Sequence, residues 1–221
     1  FEPQTWTLLY PPSVGFYPNG GIMNNISARL LWQDPETLEL HPWLATDLPE
    51  TDAGATTYTF TIRKGVTYSD GSPLTPENVA KNFDLFGRGD ESRTLPVSEQ
   101  ISNYERSEVL DGNRVRFHFS APSPGFAQAT STMNAGLLAD STLDLDAEGF
   151  GPGGATQIHT CGPFHITAET IGTKLSVRAR EDYDWAPPHL KHQGRAHLDG
   201  IDYLTNNEYS VRIGAVLSGQ A

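Results

Sequence analysis

The chain has 221 residues, 37% of them hydrophobic, with 21 glycines, 16 prolines and a formal net charge of −12. That length supports a substantial core in one large domain or two small ones, and the acidic balance argues against nucleic acid or anionic membrane as partners, because both require clustered Lys and Arg to replace counterions. No apolar run approaches the roughly 20 residues of a membrane-spanning helix, and Phe1 opens into polar sequence without a signal-peptide pattern, as expected of a cytosolic protein or of a processed or trimmed form.

From Thr57 to Arg63, Tyr58, Phe60 and Ile62 alternate with threonines and an arginine, the period-two pattern of a strand with one buried face. Lys64-Gly65 ends it and Asp70-Gly71 supplies a turn. Thr75-Pro76-Glu77 then combines a capping hydroxyl, a proline suited to the first helical turn and an acid favoured by the helix dipole, so a helix is predicted from Pro76. Val79, Phe83 and Phe86 follow at helical spacing and face a core, with Lys81 and Asp84 expected in solvent. Ile101 to Leu110 and Arg114 to Ser120 read as a β-hairpin around Asp111-Gly112-Asn113, with Val115, Phe117 and Phe119 on one face.

Ala121 to Phe126 is a proline-broken turn, Ala127 to Leu138 a predicted helix and Asp140 to Ala155 an acidic, glycine-rich surface loop. Phe164 to Thr167, Lys174 to Arg180 and Gly200 to Thr205 are short strand candidates, separated by the irregular stretch Trp185 to His197. The final segment reads as a helix capped by Asn206 or Asn207, with Tyr209, Ile213, Val216 and Leu217 on one apolar face and Gly219 as its stop.

Four features bear on chemistry. Cys161 is the single cysteine and forms no intramolecular disulfide; its surroundings fit a small buried residue better than a nucleophile, which needs a positioned base and an oxyanion site. His189, His192 and His197 could in principle gather a transition metal, but the segment lacks carboxylate or cysteine ligands at recognised spacing and a solvated loop explains it as well. Asp140, Asp144, Asp146 and Glu148 do not follow the calcium-loop pattern and read as a solvated charge run. Gly149 to Gly154 contains Pro152 and no Lys-Ser/Thr, so it is a turn and not a phosphate cradle. Gly-x-Ser-x-Gly and His-Glu-x-x-His are both absent, and nothing in the chain points to an enzyme, a metal site or a cofactor.

The order of several motifs carries a resemblance. Pro42-Trp43-Leu44-Ala45, the strand Tyr58 to Gly65, and Tyr68-Ser69-Asp70-Gly71-Ser72-Pro73-Leu74-Thr75-Pro76-Glu77-Asn78-Val79 resemble successive segments of the extracellular solute-binding proteins of ABC importers, family 5, the peptide/nickel-binding group. Glu108 to Phe117, Ser123-Pro124-Gly125-Phe126, Cys161-Gly162-Pro163-Phe164, Arg180 to Trp185 and Arg212 to Gly219 resemble later segments in the same order. Cys161 stands where that family has threonine, and one residue is inserted before Trp185.

The resemblance implies an α/β chain of mixed α+β sheets, the first lobe of a bilobed periplasmic-binding-protein type II fold whose lobes close on a ligand. It implies a ligand-facing subdomain of residues 1–36 and 156–221, an inserted subdomain of residues 37–155, and a second lobe outside this chain. The implied function is non-enzymatic: binding oligopeptides or dipeptides and delivering them, as a monomer, to a membrane permease. The alternatives are a nickel or metallophore receptor of the same family and a non-transport binding module on the same fold. The implied location is exported, periplasmic or lipid-anchored at the outer face of the cytoplasmic membrane. By the same resemblance the glycine-rich turn Gly15 to Asn24, following a first strand Thr5 to Tyr10, lines the cleft. Phe16, Tyr17, Asn19, Met23 and Asn24 are its expected ligand-facing residues, joined by Arg93, Met133 and Asn134.

Overall fold

The computed structural model describes residues 2, 4–15 and 18–220. Thr5 to Tyr10 does not form the expected strand; Leu9 donates its amide to the Phe150 carbonyl at 2.9 Å. The predicted turn from Gly15 to Asn24 instead becomes helix α1 (Asn19–Ile26), which buries Ile22, Met23 and Ile26. Strands β1 (Leu31–Gln33) and β2 (Leu40–Pro42) make an antiparallel hairpin. The next sheet contains β3 (Glu50–Thr51) and β4 (Thr57–Thr61), and helix α2 (Pro76–Arg88) follows. The sheet is completed by β5 (Tyr104–Leu110) and β6 (Arg114–Phe119), in the antiparallel order β3-β4-β6-β5.

The predicted strand and helix meet as their patterns require. Tyr58 lies opposite Phe117 and Phe60 opposite Val115, so the inward faces of β4 and β6 coincide. Helix α2 begins at the Thr75 cap, whose hydroxyl accepts from Asn78 N–H at 3.2 Å. It packs on β5 and β6 with Val79, Phe83 and Phe86 fully buried, and the Phe83 and Phe117 rings stand 4.6 Å apart. Each such phenyl ring stabilises the fold by about 1.5–3 kcal/mol through burial. Two polar positions depart from expectation. Thr59 is buried and accepts from Arg116 Nε at 3.0 Å. Asp84 is half-buried and accepts from the Ser107 amide at 3.1 Å and from the Tyr104 hydroxyl.

The predicted helix over Ala127 to Leu138 is broken. Helix α3 covers only Phe126–Ala129, and a further single turn covers Met133–Ala135. The hydroxyls of Thr130, Ser131 and Thr132 bond back to the carbonyls of Ala127, Gln128 and Ala129 at 2.7, 2.7 and 2.9 Å, which competes with helix propagation. The acidic segment is also more than a surface loop. Helix α4 (Asp140–Leu143) buries Leu143, and Phe150 is fully buried with its ring 5.1 Å from that of Tyr10.

The last sheet is antiparallel, with β7 (Phe164–Thr170), β8 (Lys174–Ala179) and β9 (Gly200–Leu204) in that order. Helix α1 packs on β7 and is tied to β9 by Asn25, whose amide donates to the Tyr203 hydroxyl at 2.8 Å. One hydrophobic core runs from Trp6 through the Phe cluster to Trp185. Helix α5 (Tyr209–Leu217) forms as predicted, but its apolar stripe faces solvent: Tyr209 is 70%, Val216 63% and Leu217 82% exposed, and only Ala215 is buried. Asn206 acts one step before the helix, accepting from Glu208 N–H at 2.9 Å. Among the described residues no helix is long and apolar enough to cross a membrane.

Candidate ligand-binding site

The start of α1 and the turn at Met133–Ala135 pack against each other, and we take this edge as the candidate rim. Gly20 permits this closeness, since a Cβ there would lie 2.6 Å from both the Gly15 carbonyl oxygen and Met133 Sδ. Asn134 joins the two segments: its side-chain amide donates to the Pro11 carbonyl at 3.0 Å and to the Val14 carbonyl at 2.9 Å. Its Oδ1 accepts from Gln100 Nε2 at 3.1 Å, and Gln100 Oε1 in turn accepts from Thr132 Oγ1 at 2.6 Å. Gln100 is exposed, while Thr132 and Asn134 are half-buried. The result is a neutral row of amides and a hydroxyl whose donors largely hold one another and the Pro11 and Val14 carbonyls in place, while the exposed Gln100 turns its second amide hydrogen and remaining carbonyl lone pair to solvent, chemistry that can meet a peptide backbone without selecting one side chain. Gln100 and Thr132 were missed in the sequence because no motif links them to Asn134 across 34 and two positions of irregular chain.

The other expected residues divide by what they touch. Phe16 and Tyr17 lie outside the described residues. Asn19 is buried, accepting from Thr7 N–H at 3.0 Å and donating to Thr7 Oγ1 at 3.1 Å; it clamps the start of α1 and presents no open surface. Met23 is fully buried in the core, because the expected turn is a helix and position 23 falls on its inner face. Asn24 is exposed at the far end of α1, where it accepts from Arg29 Nη1 at 3.0 Å. Arg93 is bound to Asp90 Oδ2 at 2.7 Å and donates to the Leu143 and Leu145 carbonyls, so it staples the 143–147 segment. The structure therefore gathers Met133 and Asn134 beside the Gly15–Gly20 segment and places Asn24 and Arg93 elsewhere.

Burial pushes the Cys161 thiol up to about 12, which keeps it protonated and unreactive. His192 and His197 stack with ring centroids 3.8 Å apart, whereas His189 lies between Trp32 and His41 at 4.2 and 4.1 Å, so the three imidazoles do not converge on one point. Asp140 pairs with Lys81 at 2.5 Å and accepts from Asn78 at 2.8 Å, and Asp146 accepts from Gly149 N–H at 2.9 Å. These acids hold the fold together locally.

Residues 39–221 match the family model described as bacterial extracellular solute-binding proteins, family 5 Middle. Protein XP55 of Streptomyces lividans is 32% identical over 195 residues, a match covering 86% of this chain and 32% of that protein. Among solved structures, the periplasmic binding protein DppA of Helicobacter pylori, in complex with the peptide STSA, superposes with a TM-score of 0.78 at 20% identity over 98% of this chain and 44% of its own. A nickel ABC transporter structure from Bacillus halodurans gives 0.73 at 21% identity, over 97% and 40%. The chain thus spans about a third of the length of the curated relative and less than half of these structures. The fold is the mixed α/β fold of the type II periplasmic binding proteins, and the sequence match settles the lineage: this chain belongs to family 5 of the bacterial extracellular solute-binding proteins.

Proposed function

We propose that the chain supplies one wall of the ligand cleft in a solute receptor of an ABC importer, one that binds oligopeptides or dipeptides and delivers them to a membrane permease. The observation that carries this reading is the neutral rim of Gln100, Thr132 and Asn134 beside the Gly15–Gly20 segment. A peptide backbone offers alternating donors and acceptors, and a row of amides complements it without demanding a particular side chain. In this reading residues 1–36 and 156–221 form the ligand-facing subdomain, residues 37–155 an inserted one, and a second lobe outside this chain closes over the ligand. Phe16 and Tyr17, which the family resemblance makes ligand-facing, belong to the same proposal by sequence position alone. The receptor works as an exported monomer, periplasmic or lipid-anchored at the outer face of the cytoplasmic membrane.

Native mass spectrometry of the protein purified from its host without denaturation tests the proposal. A spread of peptide masses that diminishes in Asn134→Ala supports it. A single adduct containing nickel overturns the peptide reading in favour of a chelate receptor, and a protein that stays bare in peptide mixtures removes both.

A further inference from the structure

A second concavity lies at the other end of α1, about 12 Å along the helix from the rim by the rise of eight residues. Its volume of about 430 Å³ falls within the usual range for small-molecule sites, roughly 300–1,000 Å³. The aromatic rings of Trp32, Trp43 and Tyr183 line it, and Pro187 and Leu190 close it from the irregular 185–197 stretch. Arg29 lines the same cavity, its guanidinium carbon 5.1 Å from the centroid of the Trp43 ring.

The state of Arg29 is the informative observation. Its Nη1 donates to Asn24 Oδ1, and this is the one hydrogen bond its side chain makes among the described residues. Its buried Nε–H has no acceptor, and no described carboxylate forms an ion pair with it. A guanidinium carries five N–H donors in a planar fork; Arg29 is half-buried, and leaving its buried Nε–H unmatched is costly. Desolvation holds its pKa down at about 10, which still leaves it charged at neutral pH. The other charged side chain in the lining, Lys191, has the same sign, and no Asp or Glu takes part. In a chain of net charge −12, a cavity with cationic walls and no acid is selective for an anion.

We propose that this cavity is a binding site, separate from the solute cleft, for a small organic acid with a flat apolar body, its carboxylate on the Arg29 fork and its body between Trp32, Trp43 and Tyr183. The geometry matches the two halves of such a ligand. An Arg–carboxylate pair is directional and charge-assisted, and the aromatic walls exclude water from it, which strengthens the pair. A free aromatic acid and the C-terminal carboxylate of a peptide ending in an aromatic residue present the same chemistry.

Isothermal titration of the protein with indole-3-acetate and with the neutral indole-3-acetamide tests the site. The acid is expected to bind saturably and at least about tenfold more tightly than the amide, the worth of a hydrogen-bonded charge. Arg29→Met should bring the acid to the level of the amide. Leu190→Trp, at a position 38% exposed, should narrow the mouth and weaken both. Equal binding of acid and amide, or acid affinity unchanged in Arg29→Met, overturns the proposal, as does the absence of saturable binding. Should Arg29→Met fail to fold, the acid-over-amide preference of the parent together with loss of acid binding in Leu190→Trp decides for the site, and failure of either decides against it. Tighter binding of N-acetylglycyltryptophan than of indole-3-acetate assigns the carboxylate to peptide termini and the reverse assigns it to free acids; both support the site.

Discussion

Trp43 donates its indole N–H to the backbone carbonyl of Trp185 at 3.0 Å, across 142 positions of the chain. Trp185 passes the same bond onward, donating its own indole N–H to the Cys161 carbonyl at 2.7 Å. Both indoles are buried. The relay joins three segments that stand far apart in sequence, Pro42 to Ala45, Cys161 to Phe164 and Arg180 to Trp185, and it explains why a tryptophan serves here better than another large apolar residue: each ring fills space and satisfies a buried carbonyl. Trp43→Phe keeps much of the bulk and removes the donor, leaving the Trp185 carbonyl unmatched. A loss of about 1–3 kcal/mol in urea unfolding is expected, and a change under about 0.5 kcal/mol would show that the bond is replaced by water.

Gly162 sits where two backbones meet. It donates its N–H to the Ile26 carbonyl at 2.8 Å, and a Cβ on it would lie 2.3 Å from that same oxygen and 2.7 Å from Ser27 N. Backbone cannot swing aside as a side-chain tip can, so Gly162→Ala should cost about 3 kcal/mol or more. Gly21→Ala is the matched control, since a Cβ there meets nothing within 4 Å. It lies inside α1 and should be neutral or stabilising by up to about 1 kcal/mol. Thermal melts of the two variants should move in opposite directions or differ widely; equal shifts would contradict the packing described.

Asn134 and Arg93 make a similar contrast for function. Asn134→Ala frees the Pro11 and Val14 carbonyls from their shared donor and loosens the turn that precedes Phe16 and Tyr17. Peptide affinity should fall by about tenfold or more, with a stability cost of about 1 kcal/mol. Arg93→Met removes the staple on the 143–147 segment and should lower stability while leaving peptide affinity within about twofold. Titration calorimetry with a peptide ligand separates the two effects, and the opposite pattern would move the site toward Arg93.

Acid should weaken the fold through two arginine-linked carboxylates. Ser92 and then Arg93 hydrogen-bond Asp90 and hold its carboxyl at about 2; Arg180 hydrogen-bonds Asp182 and holds it below the usual carboxylate range. A folded carboxyl with a depressed pKa contributes stability that is present above its unfolded value, about 3.9, and is lost as pH falls through the folded value. These two carboxylates should therefore leave the melting temperature unchanged from pH 7 to about pH 5 and lower it below about pH 4, while His165, whose burial depresses its pKa, should lower it modestly from about pH 6.5 downward. In Arg180→Met the decline should be shallower and the whole curve lower. Arg180 is 4% exposed and also donates to the Thr67 and Tyr68 carbonyls at 2.8 and 3.2 Å. Its removal should cost about 3 kcal/mol at neutral pH, since those acceptors are left buried. A melting temperature that rises on acidification would exclude this linkage.

Local pattern was sufficient where neighbours one to four residues apart determine structure. The alternation at Tyr58, Phe60 and Ile62, the Thr75 cap and the stripe of Val79, Phe83 and Phe86 all stand in the fold as read from the chain. Pattern misled where side chains compete with the backbone or where burial comes from distant contacts. The run Thr130 to Thr132 breaks a predicted helix by back-bonding, and the acidic stretch near Phe150 is ordered because that ring meets Tyr10 from the other end of the chain.

For the candidate site, the family resemblance grouped the Gly15–Asn24 region with Met133–Asn134 as an expectation, and tertiary structure decided which atoms join the two segments. Asn134 reaches Pro11 and Val14 across more than a hundred positions, Gln100 enters from a stretch with no motif, and Met23 turns inward because its segment is a helix. No sequence motif singles out Arg29. Only the closing of Trp43, Tyr183 and the 185–197 stretch around it removes its acceptors and makes it a candidate anion partner. A hydrogen bond or a desolvation penalty depends on distances in space, and a linear chain records such distances only over the few residues whose backbone geometry is already set by their order.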